Sequence, residues 1–243
     1  MNKTIVSLLA SGFTLLGGSQ ASAATIYLDF ENIAPYPNNN NVQIGDFYNG
    51  GTASNGASGP NYGVQFTSSA ILLCLNTEGT SCSNTSRGGQ GIPSSQFGAL
   101  YFPDSSPAMN VAAGFDTGFS FVYSSPFDSG TSVSIFSGLG GGGSLLASAL
   151  LPLTGNGACD NNISGGADYC PFETYSLAFS GTARSVVFGG AVNRQVFDDF
   201  TFGSTVVGGN VPEPATWALL ILGMGAVGAS MRKRKAAVRY SFA

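Results

Sequence analysis

Hydrophobic and polar residues alternate with a period of two in several short stretches of this 243-residue chain. Ile26, Leu28 and Phe30 alternate with more polar neighbours, and residues 64–66 repeat the pattern as Val-Gln-Phe. Such alternation predicts strands with one buried face. Residues 71–75 are apolar on both faces, which is typical of a strand in the centre of a sheet.

The clearest period-two pattern runs over residues 115–123, where four aromatic residues share one face. It predicts a single strand. Residues 131–137 and 144–151 flank a glycine-rich bridge and therefore predict a β-hairpin. Further strands are predicted over residues 25–30, 64–66, 71–75, 99–102, 174–180, 185–188 and 196–203, with 41–48 as the weakest candidate.

Roughly nine or ten strands separated by Gly, Asn and Ser turns predict an all-β domain over residues 24–209. We find no amphipathic helix in that range. The expected architecture is an antiparallel two-sheet sandwich, with a jelly roll as the first topology and an immunoglobulin-like sandwich as the second. The pattern of strands does not separate these two topologies.

The net charge of the predicted domain limits the kinds of ligand that it can bind. Residues 24–209 carry twelve acidic residues against Arg87, Arg184 and Arg194, a net charge of −9 that the whole-chain value of −4 hides. An acidic domain with three scattered cations has no electrostatic footprint for nucleic acid or for other polyanions.

Catalytic candidates are few because the chain has no histidine. Ser-His-Asp and Cys-His nucleophile systems and histidine-ligated zinc are thereby excluded. Asp198 and Asp199 are the most conspicuous acid pair, but neighbours on a strand point to opposite faces unless a bulge intervenes. We therefore expect a non-catalytic protein, with an extracellular carbohydrate-active enzyme on the same fold as the alternative class.

Both ends of the chain predict export. Lys3, an apolar stretch over residues 5–16 and Ala21-Ser22-Ala23 form a secretory signal peptide over residues 1–23. At the other end, residues 210–243 contain Pro212-Glu213-Pro214, an uncharged apolar run over 215–231 and the basic cluster Arg232-Lys233-Arg234-Lys235. That run predicts a transmembrane helix with its basic end in the cytoplasm.

The order of parts in this tail resembles the PEP-CTERM sorting signal of Gram-negative envelope proteins. The resemblance rests on Pro212, Glu213, Pro214 and Arg232 to Lys235, and the octapeptide 236–243 is an addition to the usual pattern. It implies recognition by exosortase, a membrane-embedded transpeptidase, and delivery to the cell surface or extracellular matrix. The plainer alternative is a periplasmic protein anchored in the inner membrane by its C-terminal helix.

A second resemblance covers residues 133–150, 179–190 and 197–203. These segments look like the body of many PEP-CTERM proteins, which is similar to galactose-binding-like jelly rolls of carbohydrate modules. The resemblance implies a structural calcium between the first and last strands, at Asp29, Glu31 and Asp198. The alternative is that these carboxylates are solvated charges at a sheet edge.

The four cysteines are Cys74, Cys82, Cys159 and Cys170. An even count in an exported chain favours disulfides, and three pairings exist. We expect the local pairing, Cys74 with Cys82 and Cys159 with Cys170, because it closes two short loops.

Tyrosines supply the remaining candidate site. Sugar rings stack on flat aromatic faces, and Tyr36, Tyr48 and Tyr62 lie in or beside Asn/Gly-rich loops. The alternative is that these tyrosines are half-buried packing residues. The sequence as a whole predicts an exported, non-catalytic β-sandwich with a structural, adhesive or polysaccharide-contacting role.

Overall fold

The computed structural model describes residues 25–33, 42–66, 70–74, 89–90, 98–103, 107–125, 130–154, 170–191 and 195–208, with 223–225 and 228. Thirteen strands form in these ranges: β1 (Ile26–Leu28), β2 (Val64–Phe66), β3 (Ile71–Cys74), β4 (Gly89–Gln90), β5 (Gly98–Tyr101), β6 (Ala108–Phe115), β7 (Gly118–Ser124), β8 (Ser132–Phe136), β9 (Leu145–Leu150), β10 (Cys170–Pro171), β11 (Glu173–Ala178), β12 (Ala183–Gly189) and β13 (Val196–Phe202). A 3-10 turn covers Leu139–Gly141.

The strands form two antiparallel sheets. One sheet has the order β11-β7-β13-β5-β3, with β1 also paired to β13, and the other has the order β2-β6-β12-β8-β9. β4 and β10 form a separate short parallel pair. The predicted all-β, two-sheet antiparallel sandwich is therefore confirmed, and the predicted hairpin is β8 paired with β9.

Phenylalanine side chains fill the space between the sheets. Phe188 of β12 stacks on Phe200 of β13 with ring centroids 5.6 Å apart, and it contacts Phe197 at 4.8 Å. Phe119 and Phe121 of β7 project into the same core. Each fully buried phenylalanine contributes about 1.5–3 kcal/mol, so these rings dominate the attraction between the sheets.

A β-bulge interrupts β13 between Asp198 and Thr201. Asp199 is the extra residue, and its φ of 54° lies in the left-handed region. Asp198 pairs with Val122 and Thr201 pairs with Ser120 across the neighbouring β7. The bulge thus allows two consecutive aspartates in this strand while Phe200 still reaches the core.

The predicted single strand over residues 115–123 is wrong. Phe115 ends β6, and Thr117 adopts a φ of 70° in a tight turn where the Gly118 amide donates to the Asp116 carbonyl at 2.7 Å. This turn carries the chain from the five-stranded sheet to the six-stranded one. The pattern did not predict β6, because its Ala and Gly residues weaken the alternation around the buried Met109 and Val111.

Two further expectations also need correction. β3 lies at the edge of its sheet rather than at its centre. It is apolar on both faces because Leu72 joins the main core while Leu73 packs on the outer face with Ala99, Tyr101 and Val196. Residues 45–48 form a turn instead of part of a strand, and Gln43 makes only an isolated bridge to Ile71.

The two predicted export segments fall mainly outside the described residues. Residues 1–23 are not described, and of the predicted span 215–231 only 223–225 and 228 are, in helical conformation. Within the described residues, no helix has the length and apolar character needed to cross a membrane.

Candidate functional site

The loop from Val42 to Gly63 is held in shape by its own backbone. The Asn49 and Gly51 amides both donate to the Asp46 carbonyl at 2.9 Å, and the Gly59 amide donates to the Gly51 carbonyl at 3.1 Å. A Cβ at Gly59 would lie 2.0 Å from the Phe47 carbonyl oxygen. Only glycine fits there, so the sequence itself dictates how closely the loop folds back.

This loop presents a pair of stacked tyrosines. The Tyr48 carbonyl accepts hydrogen bonds from the Tyr62 amide at 2.9 Å and the Val64 amide at 3.3 Å. The two rings lie 6.2 Å apart with an interplanar angle of 14°. Tyr48 is 3% exposed, whereas Tyr62 is 47% exposed. In the described part of the chain, Tyr62 is the one aromatic residue among the exposed large apolar side chains.

The inner ring is fixed by the core. Tyr48 makes edge contacts with Phe30, at a centroid distance of 5.8 Å, and with Phe47, at 5.0 Å. Phe30 in turn contacts Phe200 at 5.2 Å. A continuous row of rings therefore connects the exposed face of Tyr62 to the centre of the sandwich.

Two exposed asparagines lie on the chain segments that carry the stacked rings. Asn49 follows Tyr48, Asn61 precedes Tyr62, and the backbones of the two asparagines pair with each other. The Asn61 side-chain oxygen accepts a hydrogen bond from the Gly63 amide at 3.2 Å, which fixes the turn that carries Tyr62. We call Asn49, Asn61 and Tyr62 the Tyr62 patch. It combines a flat apolar face with amide donors and acceptors.

The structure separates the three tyrosines that the sequence grouped. Tyr62 is exposed, Tyr48 belongs to the core, and Tyr36 lies outside the described residues. Among the other described tyrosines, Tyr101 and Tyr123 are buried, whereas Tyr27 and Tyr175 are half-buried. Tyr123 is fully buried, and its hydroxyl donates to the Pro152 carbonyl at 3.0 Å. Burial raises the pKa of Tyr123 above its usual value, and the nearby Glu173 carboxylate and Tyr175 raise it further.

The acidic residues that follow β1 and those in β13 accept hydrogen bonds largely from backbone amides. The Glu31 carboxylate accepts from the Gly98 amide at 2.7 Å, and the Asp29 carboxylate accepts from the Glu31 amide at 3.2 Å. In the bulge, the Asp198 carboxylate accepts from the Asp199 amide at 2.8 Å. Tyr27 donates its hydroxyl proton to the Asp199 carboxylate.

The three carboxylates expected to bind calcium lie in the described part of the chain. Among the described residues, no group of three or more carboxylate, thiol or imidazole side chains is close enough to hold a metal ion. The calcium expected at Asp29, Glu31 and Asp198 stays a prediction of the sequence. Tyr27 was not anticipated as a partner of Asp199. The β1–β13 pairing places Tyr27 opposite Thr201, and the pattern of the sequence does not give that register.

Asp198 and Asp199 are also poorly placed for glycoside hydrolysis. In a regular strand, neighbouring residues point to opposite faces, which would prevent the two carboxylates from acting on one bond. The bulge between Asp198 and Thr201 lifts that restriction. However, Asp198 and Asp199 are 0% and 1% exposed. A polymeric substrate cannot reach side chains that are sealed from solvent.

The sorting residues Pro212, Glu213, Pro214 and Arg232 to Lys235 lie outside the described residues. So do Cys82 and Cys159, one member of each predicted disulfide. Both disulfides therefore stay predictions.

Several solved structures are similar to this chain at low TM-scores. A carbohydrate-binding module from Cellvibrio mixtus lichenase 5A, in complex with cellotriose, is 10% identical with a TM-score of 0.35, covering 58% of this chain and 91% of its own. A β-1,3-glucan binding CBM6 from Bacillus halodurans is 11% identical with a TM-score of 0.34, covering 74% and 96%. The K2 cleaved adhesin domain of Lys-gingipain is 10% identical with a TM-score of 0.41, covering 74% and 100%.

No curated protein has a sequence that matches this chain significantly. A family model described as the PEP-CTERM protein-sorting motif matches residues 210–235. This segment contains the Pro-Glu-Pro box, the apolar run and the basic cluster that carried the resemblance. The chain therefore carries a PEP-CTERM sorting motif after an all-β domain, and that motif implies export, processing by exosortase and sorting to the cell surface.

Proposed function

We propose that this protein is a non-catalytic surface component that contacts neutral polysaccharide through the Tyr62 patch. The observation that carries the proposal is the exposed Tyr62 ring, stacked on the buried Tyr48 ring at 6.2 Å. An aromatic side chain left half in water, on a loop of a surface-sorted domain, is a natural platform for the apolar face of a sugar ring.

Preorganisation favours binding at this ring. The Tyr62 amide is bonded to the Tyr48 carbonyl, and the Asn61 side chain fixes the following turn. Ordering a free side chain on binding costs about 0.5–1.5 kcal/mol. Because Tyr62 already stacks against a fixed ring, most of that cost is met when the domain folds.

The surrounding chemistry selects the class of glycan. The exposed amides of Asn49 and Asn61 donate and accept hydrogen bonds, which suits sugar hydroxyl groups. Asp46 is exposed in the same loop, and the domain carries a net charge of −9. Neutral polysaccharides are therefore favoured over sulfated or uronic-acid polymers.

Affinity electrophoresis of the purified protein tests this proposal. The gels contain cellulose derivative, a β-1,3-glucan, xylan or, as a polyanionic comparison, alginate. We expect retardation by at least one neutral polymer and none by alginate. Tyr62→Ala should weaken that retardation about tenfold or more, since aromatic contacts of this kind contribute roughly 1.5 kcal/mol or more when they anchor a ligand. Tyr62→Trp should retain it.

Val206→Ala is the matched control, because Val206 is also an exposed apolar residue, at 63%, outside the Tyr62 patch. It should bind like the parent protein. Retardation by no neutral polymer would overturn the proposed function. Equal binding by Tyr62→Ala and the parent would remove Tyr62 as the platform.

A further inference from the structure

The strand β9 forms one edge of the five-stranded sheet. Among the described residues, its ladder of paired residues runs to β8 alone. Leu145 and Leu150, at its two ends, are 57% and 69% exposed. Leu139, in the adjoining loop, is 51% exposed. An edge strand bordered by exposed leucines offers both backbone groups and apolar surface to another chain.

Nothing in the sequence of β9 protects this edge. Natural edge strands are usually blunted by charged side chains or proline. The six residues of β9 contain neither, and no charged residue occurs between Asp128 and Asp160. The outward-facing Ser148 forms a hydrogen bond of 2.8 Å with Ser134 of β8. The one irregularity is a register shift near Leu145.

The sequence of this edge is a palindrome. Residues 145–151 read Leu-Leu-Ala-Ser-Ala-Leu-Leu, with Ser148 at the centre. We propose that β9 pairs antiparallel with β9 of a second copy of this chain, about a twofold axis at Ser148. In that register Ala147 lies opposite Ala149, and Leu146 opposite Leu150. Every residue therefore meets a residue of its own type.

Charge permits a second copy to approach this edge. Two domains of net charge −9 repel each other, and β9 lies in a stretch of thirty-one residues, 129–159, that adds no charge to that repulsion. Twofold pairing uses the same patch on both copies, so it closes at a dimer and does not continue into a filament. The two five-stranded sheets then become one continuous sheet.

A six-residue edge is small beside the roughly 1,200–2,000 Å² that stable interfaces bury, so the pair is weak in dilute solution. Sorting to a surface raises the fraction of copies that are paired. Copies confined to the same surface meet at a high effective concentration, which converts a weak contact into a populated one. This inference uses the sorting motif and the edge geometry, and it is independent of the Tyr62 patch.

Disulfide trapping tests the register. In the full-length chain in mild detergent, Ser148→Cys brings two identical thiols together at the twofold axis. Opposite residues in antiparallel strands have Cα atoms about 4.5–5.5 Å apart, which lies within the range of disulfides. We expect a covalent dimer under mild oxidation that reductant reverses. Ser176→Cys, exposed on the edge strand β11 of the other sheet, is the matched control and should stay monomeric.

A second variant tests the interface without new thiols. Ser148→Lys places like charges at the axis and should weaken dimerisation roughly 100-fold or more in light-scattering measurements. Ser176→Lys should leave the dimer unchanged. Because both positions are exposed, both variants should keep the parent melting temperature. A parent protein that stays monomeric at all concentrations, dimers that Ser148→Lys does not weaken, or equal trapping at Ser148 and Ser176 would overturn the proposal.

Discussion

Tyr123 shows how a single buried residue links the fold to pH. Its ring lies in the core, in edge contact with Phe121 at 5.9 Å, and its hydroxyl donates to the Pro152 carbonyl. Removal from water disfavours the tyrosinate, and the Glu173 carboxylate adds repulsion. The pKa of Tyr123 is therefore raised on folding, so the unfolded chain loses this proton first as pH increases.

We predict that Tyr123 makes the domain sensitive to alkali. Its contribution to stability is complete below the unfolded pKa of about 10 and is lost as pH rises from there towards the folded value, by up to about 1.4 kcal/mol per pH unit. Tyr123→Phe should cost about 1 kcal/mol at neutral pH, because one hydrogen bond is lost. Its stability should then fall less steeply in alkali. Urea unfolding at a series of pH values measures both effects.

Tyr175→Phe is the comparison variant, since Tyr175 is half-buried beside Tyr123. It should follow the parent protein more closely than Tyr123→Phe does. Parallel decline of the parent and Tyr123→Phe above pH 10 would contradict the assignment.

The tyrosines also show what residue-level prediction misses. Loop composition placed Tyr48 and Tyr62 in or beside Asn/Gly-rich loops, but it gave no reason to separate them. Their difference depends on Phe30, which packs against Tyr48 from a distant part of the sequence. Neither the hydrophobic periodicity nor the composition of the sequence encodes such long-range contacts. The exposed ring is therefore identified only from the folded structure.

At the scale of elements, the bulge in β13 is the most consequential feature. It joins β13 to β1 by way of the Tyr27 contact to Asp199, and it brings Phe200 back to the core. Two adjacent aspartates in a strand were visible in the sequence. Asn and Asp tolerate positive φ better than other side chains, which explains why aspartate occupies the position at 54°.

We predict that Asp199→Ala lowers the free energy of unfolding by about 2–4 kcal/mol. Alanine is strained in the left-handed region by roughly 1–2 kcal/mol, and the charged hydrogen bond from Tyr27 is lost. Asp199→Asn should cost less than half as much, because it tolerates the same φ and keeps an accepting oxygen. Chemical denaturation of both variants measures the difference.

The exposed Asp46 provides the control, since Asp46→Ala removes an identical charge and should change stability by about 0.5 kcal/mol or less. Equal losses in Asp199→Ala and Asp199→Asn would mean that neither the backbone conformation nor the accepted hydrogen bond stabilises the bulge.

Element prediction succeeded where alternation was uninterrupted and failed where small residues or tight turns intervened. The β8–β9 hairpin and β13 were predicted to within two residues at their ends. β6 was missed because Ala and Gly carry little periodic information, and the turn at Thr117 was hidden because the row of aromatic residues resumes on the same face directly after it. The edge position of β3 depends on pairing across the whole sheet, which local pattern does not encode.

At the scale of the whole molecule, the chain divides into an acidic sandwich and a sorting tail of opposite charge. The sorting motif was predictable because its parts are linear and adjacent, and the family match covers residues 210–235. The site on the sandwich was predictable only in part, because it depends on folding. Delivery and binding can therefore be tested by separate substitutions.

We predict that the basic cluster is required for processing. In the native host, replacing Arg232, Lys233, Arg234 and Lys235 with glutamine removes the positive charge that the matched motif carries after its apolar run. The full-length precursor should accumulate, and the product that begins at Ala24 and ends near Pro214 should decrease strongly at the cell surface. Intact mass measurement by cell fraction detects both species.

Arg239→Gln is the matched control, because it removes a positive charge from the same tail outside the matched motif. A precursor that still carries residues 217–243 in the parent strain would identify the tail as a permanent anchor, whereas unchanged product in the glutamine variant would show that processing reads the Pro-Glu-Pro box and the apolar run without the basic cluster.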